Sequence, residues 1–135
     1  MKLSAQIFEQ VSQNLRCYED TTPDERRIEP RVGIMAHVVV TMRQPGNPVS
    51  QQVELRIRDL SAGGIGLMTR KPILVGSRFS LLLPRSEFEK PLATVYEVKY
   101  CRQLSSYMFQ SGGKLIAIGN RSANLPAASF PGHVA

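Results

Sequence analysis

Three arginines, Arg26, Arg27 and Arg31, crowd the stretch DERRIEPR (24–31), and further along the chain reads DLSAGG (59–64). A guanidinium offers a rigid fork of donors that fits phosphate oxygens and the O6/N7 edge of guanine, and its plane stacks on a base. A carboxylate such as Asp59 accepts two parallel donors, which guanine presents as N1–H and N2–H2. A serine hydroxyl beside glycines (Ser61, Gly63 and Gly64) lets phosphate oxygens come close to the backbone. Brought together at one end of a fold, the two stretches would make a single guanine–phosphate site. Each also has a plainer reading. The arginines fit a solvated linker or a nucleic-acid arm. DLSAGG fits turn chemistry, in which Asp and Ser side chains bond nearby backbone donors and the glycines take positive φ.

The elements that must position these residues follow from periodicity. Residues 4–15 carry Ile7, Val11 and Leu15 at four-residue spacing, with Leu3 just before, Phe8 beside the stripe and Ser4 as a cap. That predicts a short amphipathic helix covering one end of the fold. Residues 17–31 are polar and proline-punctuated, a linker without periodicity. Strands are predicted over 32–42, 53–58, 65–69, 77–84, 93–101 and 107–118. In VELRIR (53–58), Val53, Leu55 and Ile57 face inward while Glu54, Arg56 and Arg58 face outward. QPGNP (44–48), DLSAGG, KP (71–72) and RSEFEKP (85–91) supply the turns and loops. Short strands at hairpin spacing predict a mainly β fold, a six-stranded antiparallel β-barrel with a short N-terminal helix. The chain divides into a helix and linker (1–24), the barrel domain (25–119) and a tail (120–135) read as disordered from its small, polar, proline-marked composition.

Composition narrows the function classes. The chain has 135 residues, enough for one domain with its own core. Its net charge is +6, and arginine supplies 12 of the 17 basic residues. Such a surface attracts an anionic partner: nucleic acid, nucleotide or acidic protein. No GxSxG, P-loop, HExxH or Cys/His pair with an orienting acid occurs, so no enzyme is expected. Glu87 and Glu89 share a loop and read as solvated. Cys17 and Cys101 lie far apart, His37 sits in an apolar run and His133 in the tail, so no zinc set forms and the thiols read as reduced. No apolar run reaches membrane-spanning length, and the N-terminal stretch lacks a signal-peptide apolar region. The expectation is a cytoplasmic protein without metal or membrane insertion.

In order and separation, RRIEPR (Arg27-x-x-x-Arg31, preceded by Arg26), two strands and DLSAGG (Asp59-x-Ser61-x-x-Gly64) resemble a PilZ domain. DLSAGGIGLMTRKPILVGSRFSLLLP and QSGGKLIAI continue the likeness, over roughly residues 25–119. The resemblance implies a receptor for cyclic di-GMP. Arg27 and Arg31 would clamp guanine Hoogsteen edges and phosphates. Asp59 would take the N1/N2 edge, Ser61 would contact the ligand beside it, and Gly64, assisted by Gly63, would allow the tight turn. Arginine at position 26 implies a further stacking and phosphate contact and an intercalated cyclic di-GMP dimer. Two features depart from the family pattern. No helix is predicted after the last strand, and the aromatic contact near the ligand is not evident. Tyr96 and Tyr100 share a face by simple alternation, and Tyr100 and Lys99 are further contact candidates.

The leading expectation is therefore a cyclic di-GMP receptor whose N-terminal arginine segment orders on the ligand, repositions the helix and signals to a protein effector. Asp24, Glu25 and Glu29 would hold the arginines off the barrel without ligand. One alternative is a ligand-free PilZ-like adaptor working through protein contacts alone. Another is a small basic barrel for single-stranded nucleic acid, against which the 7% aromatic content argues.

Overall fold

The computed structural model describes residues 1–15, the backbone of 18–19, and residues 30–86, 88–119 and 125–130. One helix, α1 (Ala5–Leu15), precedes eight strands among these residues: β1 (Tyr18–Glu19), β2 (Val32–Arg43), β3 (Ser50–Leu60), β4 (Gly64–Thr69), β5 (Arg78–Leu83), β6 (Leu92–Ser105), β7 (Met108–Ile118) and β8 (Ala127–Ser129). The fold is mainly β, as its strand patterning predicts.

Six strands form a ring in the order β2-β3-β4-β7-β6-β5, closed by β5 pairing back to β2, and every pairing around it is antiparallel. Period-two alternation drives this arrangement. Along β2, Val38, Val40 and Met42 are buried, while His37, Val39 and Thr41 point outward and are exposed or half-buried. Along β3, Leu55 and Ile57 turn inward and Arg56 and Arg58 outward, as predicted. The inward side chains form one apolar cluster that includes Leu67, Phe79, Leu81, Leu83, Val98 and Leu115. Each fully buried side chain of this size contributes about 1.5–3 kcal/mol.

Closure is brief. Only Met42↔Phe79 and Arg43↔Arg78 join β2 to β5. Beyond Phe79 the edge of β5 is taken instead by β8, which runs parallel to it from Ser80↔Ala127 to Leu82↔Ser129. The tail read as disordered from composition is thus ordered over residues 125–130, and Phe130 is only 2% exposed within the core. A three-residue strand of small side chains has no periodicity to reveal it. Its order comes from an open strand edge and one aromatic anchor.

The predicted helix forms from a capped start: the Ile7 N–H donates to the Ser4 hydroxyl at 3.2 Å. Leu3, Val11 and Leu15 are buried in the common core, with Ile7 and Phe8 packed against it. The helix lies at the end of the ring where β3 turns into β4 and β5 into β6. There the Leu3 N–H donates to the Ala62 carbonyl at 2.8 Å. Gln10 accepts from Arg85 Nε at 2.9 Å and donates to Glu89 at 3.2 Å.

Phe130→Ala should cost roughly 3 kcal/mol of stability, read as a lowered urea midpoint. An unchanged midpoint would remove β8 and Phe130 from the folded unit.

Candidate functional site

The two sequence stretches meet where β2 begins and β3 ends. Gly33 of β2 is the register partner of Asp59 on β3. Arg31, two residues before Gly33, therefore lies on the same face of the chain, within diagonal reach of Asp59. Arg31 Nη1 donates to Asp59 Oδ1 at 2.9 Å, with the arginine side chain 34% and the aspartate side chain 11% exposed. Each thus satisfies the other's charge at a half-sheltered position.

A bulge sets the direction of Asp59. The β3–β4 register runs Ile57↔Leu67 and then Asp59↔Gly66, which leaves Arg58 as the extra residue. Ile57 and Leu60 point inward, so Arg58 and Asp59 are consecutive outward residues. On β4, Ile65 and Leu67 face the core, and Gly66 between them faces out beside Asp59. A side chain at 66 would put its Cβ 2.6 Å from Asp59 Oδ1 and 2.8 Å from Oδ2. The carboxylate therefore lies down over β4, in the space a side chain at 66 would need.

The same construction recurs on the far side. Gly66 pairs with Gly112 on β7, and Gly112 pairs with Tyr100 on β6. A second bulge, between Val98↔Gly113 and Tyr100↔Gly112, leaves Lys99 as the extra residue. Val98 is buried, while Lys99 and Tyr100 both turn outward. A Cβ on Gly112 would lie 2.2 Å from Tyr100 Cε1 and 2.7 Å from Cζ, so the ring edge occupies that position. Arg31, Asp59, Gly66, Gly112 and Tyr100 thus form one row across the outer face of the ring. Neither glycine was singled out as a site residue from the sequence. The available signal was glycine in a strand interior, which weakens a strand and marks a bulge or a close approach.

Other candidates stand differently. Contrary to simple alternation, Tyr96 and Tyr100 do not share a face. It is fully buried and stacked on Phe79 with ring centroids 5.8 Å apart, and burial pushes its phenol pKa well up. The bulge at Lys99 is the physical reason for the reversal. Lys99 Nζ bonds the Glu97 carboxylate, which also accepts from Arg78 Nε at 3.0 Å. Hydrogen bonds from Lys99 and then Arg78 hold the Glu97 carboxyl below its ordinary range. The Ser61 hydroxyl is turned into its own turn, in a long contact of 3.5 Å to the Gly64 carbonyl. Neither Gly63 nor Gly64 takes the positive φ expected of them; the described glycines that do are Gly46, Gly76 and Gly119. The demand for glycine at 64 is instead one of approach, because a Cβ there would lie 3.1 Å from the Gly113 carbonyl oxygen. Arg26, Arg27, Asp24, Glu25, Glu29, Glu87, Cys17 and His133 lie outside the described residues.

A separate cleft of about 440 Å³, lined by His37, Glu54, Arg56, Met68, Arg70 and Met108 among others, includes neither Arg31 nor Asp59. The row from Arg31 to Tyr100 is therefore separate from that cleft. Among the described residues, no group of three or more His, Cys, Asp or Glu could hold a metal ion. No described helix is long and apolar enough to cross a membrane. The sequence profile of one family, described as "PilZ domain", matches residues 25–117, and no curated protein sequence matches the chain.

The Arg31–Asp59 pair should be visible in a double-mutant cycle. Arg31→Ala and Asp59→Ala should each lose about 1 kcal/mol, and the double variant no more than the larger single loss. Strictly additive losses in urea unfolding would mean that the pair contributes nothing in solution.

Proposed function

The chain belongs to the PilZ domain family, and from that premise we propose that it is a cytoplasmic receptor for cyclic di-GMP, a binding module and not an enzyme. The observation that carries this reading is the contact between Arg31 and Asp59. It brings one arginine of the RxxxR stretch against the acid of the DxSxxG turn, so that a single ligand can engage both.

The ring is read as a small antiparallel barrel whose outer face receives the ligand. On binding, the ion pair is exchanged. Asp59 releases Arg31 and accepts guanine N1–H and N2–H2, while Arg31 turns to an O6/N7 edge or a phosphate oxygen. Each half-sheltered charge keeps a partner throughout, which lowers the cost of opening the pair. Arg27 takes the equivalent role from the other end of the motif. Arg26 adds a stacking and phosphate contact that favours an intercalated pair of ligands. Ser61, Gly63 and Gly64 line the turn beside the guanine. Tyr100 is a base contact, and Lys99 a weaker candidate because Glu97 engages it.

The signal passes through α1. The helix precedes the arginine stretch, and the Leu3 N–H is bonded to Ala62 inside the ligand turn, so a change in that turn is felt at the start of the helix. The output is read by a protein effector that distinguishes the two helix positions. One observation favours a second reading, an adaptor that needs no ligand. Arg31 and Asp59 already satisfy each other, so the motif residues have a structural use of their own.

Calorimetry with cyclic di-GMP should show saturable binding with two ligands per chain, abolished or weakened at least tenfold in Arg31→Ala and in Asp59→Ala. Absence of both heat and thermal shift at high ligand concentration would reject the receptor reading and leave the adaptor. Tighter, salt-steep binding of single-stranded oligonucleotides would reject both.

A further inference from the structure

We infer that Gly66 and Gly112 are positioning residues for the ligand: they let the Asp59 carboxylate and the Tyr100 ring fold down over the two middle strands, so that their tips converge above the β4–β7 seam. This inference rests on the cyclic di-GMP reading and adds two residues outside both motifs.

The argument is one of register and space. Asp59, Gly66, Gly112 and Tyr100 are consecutive partners across β3, β4, β7 and β6. Three strand gaps of roughly 4.8 Å separate the backbones of Asp59 and Tyr100, about 14 Å in all. Side chains standing upright on β3 and β6 would be too far apart to serve one base. Here both lean inward. Asp59 Oδ1 lies 2.6 Å from the Cβ site of Gly66, and Tyr100 Cε1 lies 2.2 Å from that of Gly112. Each tip has therefore crossed one gap, and a single gap remains between the strands they cover. A purine resting against the Tyr100 ring then turns its hydrogen-bonding edge toward the carboxylate.

The cost of a methyl group at either position falls on side-chain placement and not on the fold. The atoms in conflict are the ends of side chains that can swing outward about χ1. Neither glycine has the left-handed φ that would make alanine strained. Alanine at 66 or 112 therefore lifts the carboxylate or the ring off the sheet and leaves the strands paired. A glycine kept only for backbone reasons would behave otherwise: alanine would lower stability, whichever residue stood at 100.

The experiment compares wild type, Gly66→Ala, Gly112→Ala, Tyr100→Ala and Gly112→Ala/Tyr100→Ala by urea unfolding and by cyclic di-GMP titration. Each glycine variant should keep a midpoint near that of wild type yet bind the ligand roughly tenfold or more weakly, as expected for a lost stacking or edge contact. Adding Gly112→Ala to Tyr100→Ala should weaken binding no further. Wild-type affinity in both glycine variants overturns the inference, as does an equal additional loss in the Tyr100→Ala background. Should Gly112→Ala fail to fold, the double variant must fold, because the conflicting ring is gone; a double variant that also fails overturns the inference. Absence of binding by wild type itself would instead reject the receptor reading, and this positioning role with it. The two failures are distinguishable, because only the first leaves wild-type binding intact.

Discussion

Closure of the sheet on itself is the constraint from which the other features follow. A six-strand ring has one interior, filled here by the inward residues of every strand, and an outer face that carries the remaining chemistry. Yet β2 and β5 meet over only two residue pairs. The twist that brings them together also drives them apart, because adjacent strands rotate by roughly 20–25°. The gap is filled by β8, whose parallel pairing covers the β5 edge that β2 abandons. Within the ring β3, β4, β7 and β6 are consecutive neighbours. That neighbourhood makes possible a row from Asp59 to Tyr100.

Bulges then convert a regular surface into a directed one. At Arg58 and again at Lys99 an extra residue turns two consecutive side chains outward, a basic one followed by Asp59 or Tyr100. The two bulged strands flank β4 and β7, each of which contributes a glycine at the matching register. The acid, the ring and the bare backbone between them are thus products of register as much as of residue type. The Arg31–Asp59 pair anchors one end of this row and joins it to the segment that leads back to α1.

How much of this was legible in the sequence depends on which rule each segment obeys. The clean alternation of VELRIR marked β3 and its inward residues correctly, and the stripe of Ile7, Val11 and Leu15 marked α1. The six ring strands appeared as short runs between turn residues. The faces of β6 did not, because alternation carried past Lys99 assigns Tyr100 to the wrong side, and nothing local announces the bulge. Gly66 and Gly112 gave only the general signal of glycine within a strand. What each makes room for is a side chain on another strand. The tail failed for a related reason, since β8 gains its order from the vacant edge of β5. Of the motif residues, Arg31 and Asp59 are brought together, whereas Arg26 and Arg27 lie outside the described residues.

The β8 seam also bears on biosynthesis. This strand leaves the ribosome after all six strands of the ring. Until it emerges, β5 keeps an uncovered edge next to an apolar interior that Phe130 has not yet helped to seal. An unpaired edge of this kind is a template for pairing with another chain. Crowded synthesis, in which several copies grow on one messenger, would expose these edges to one another. Until β8 covers it, this edge of β5 is a place where misassembly can begin.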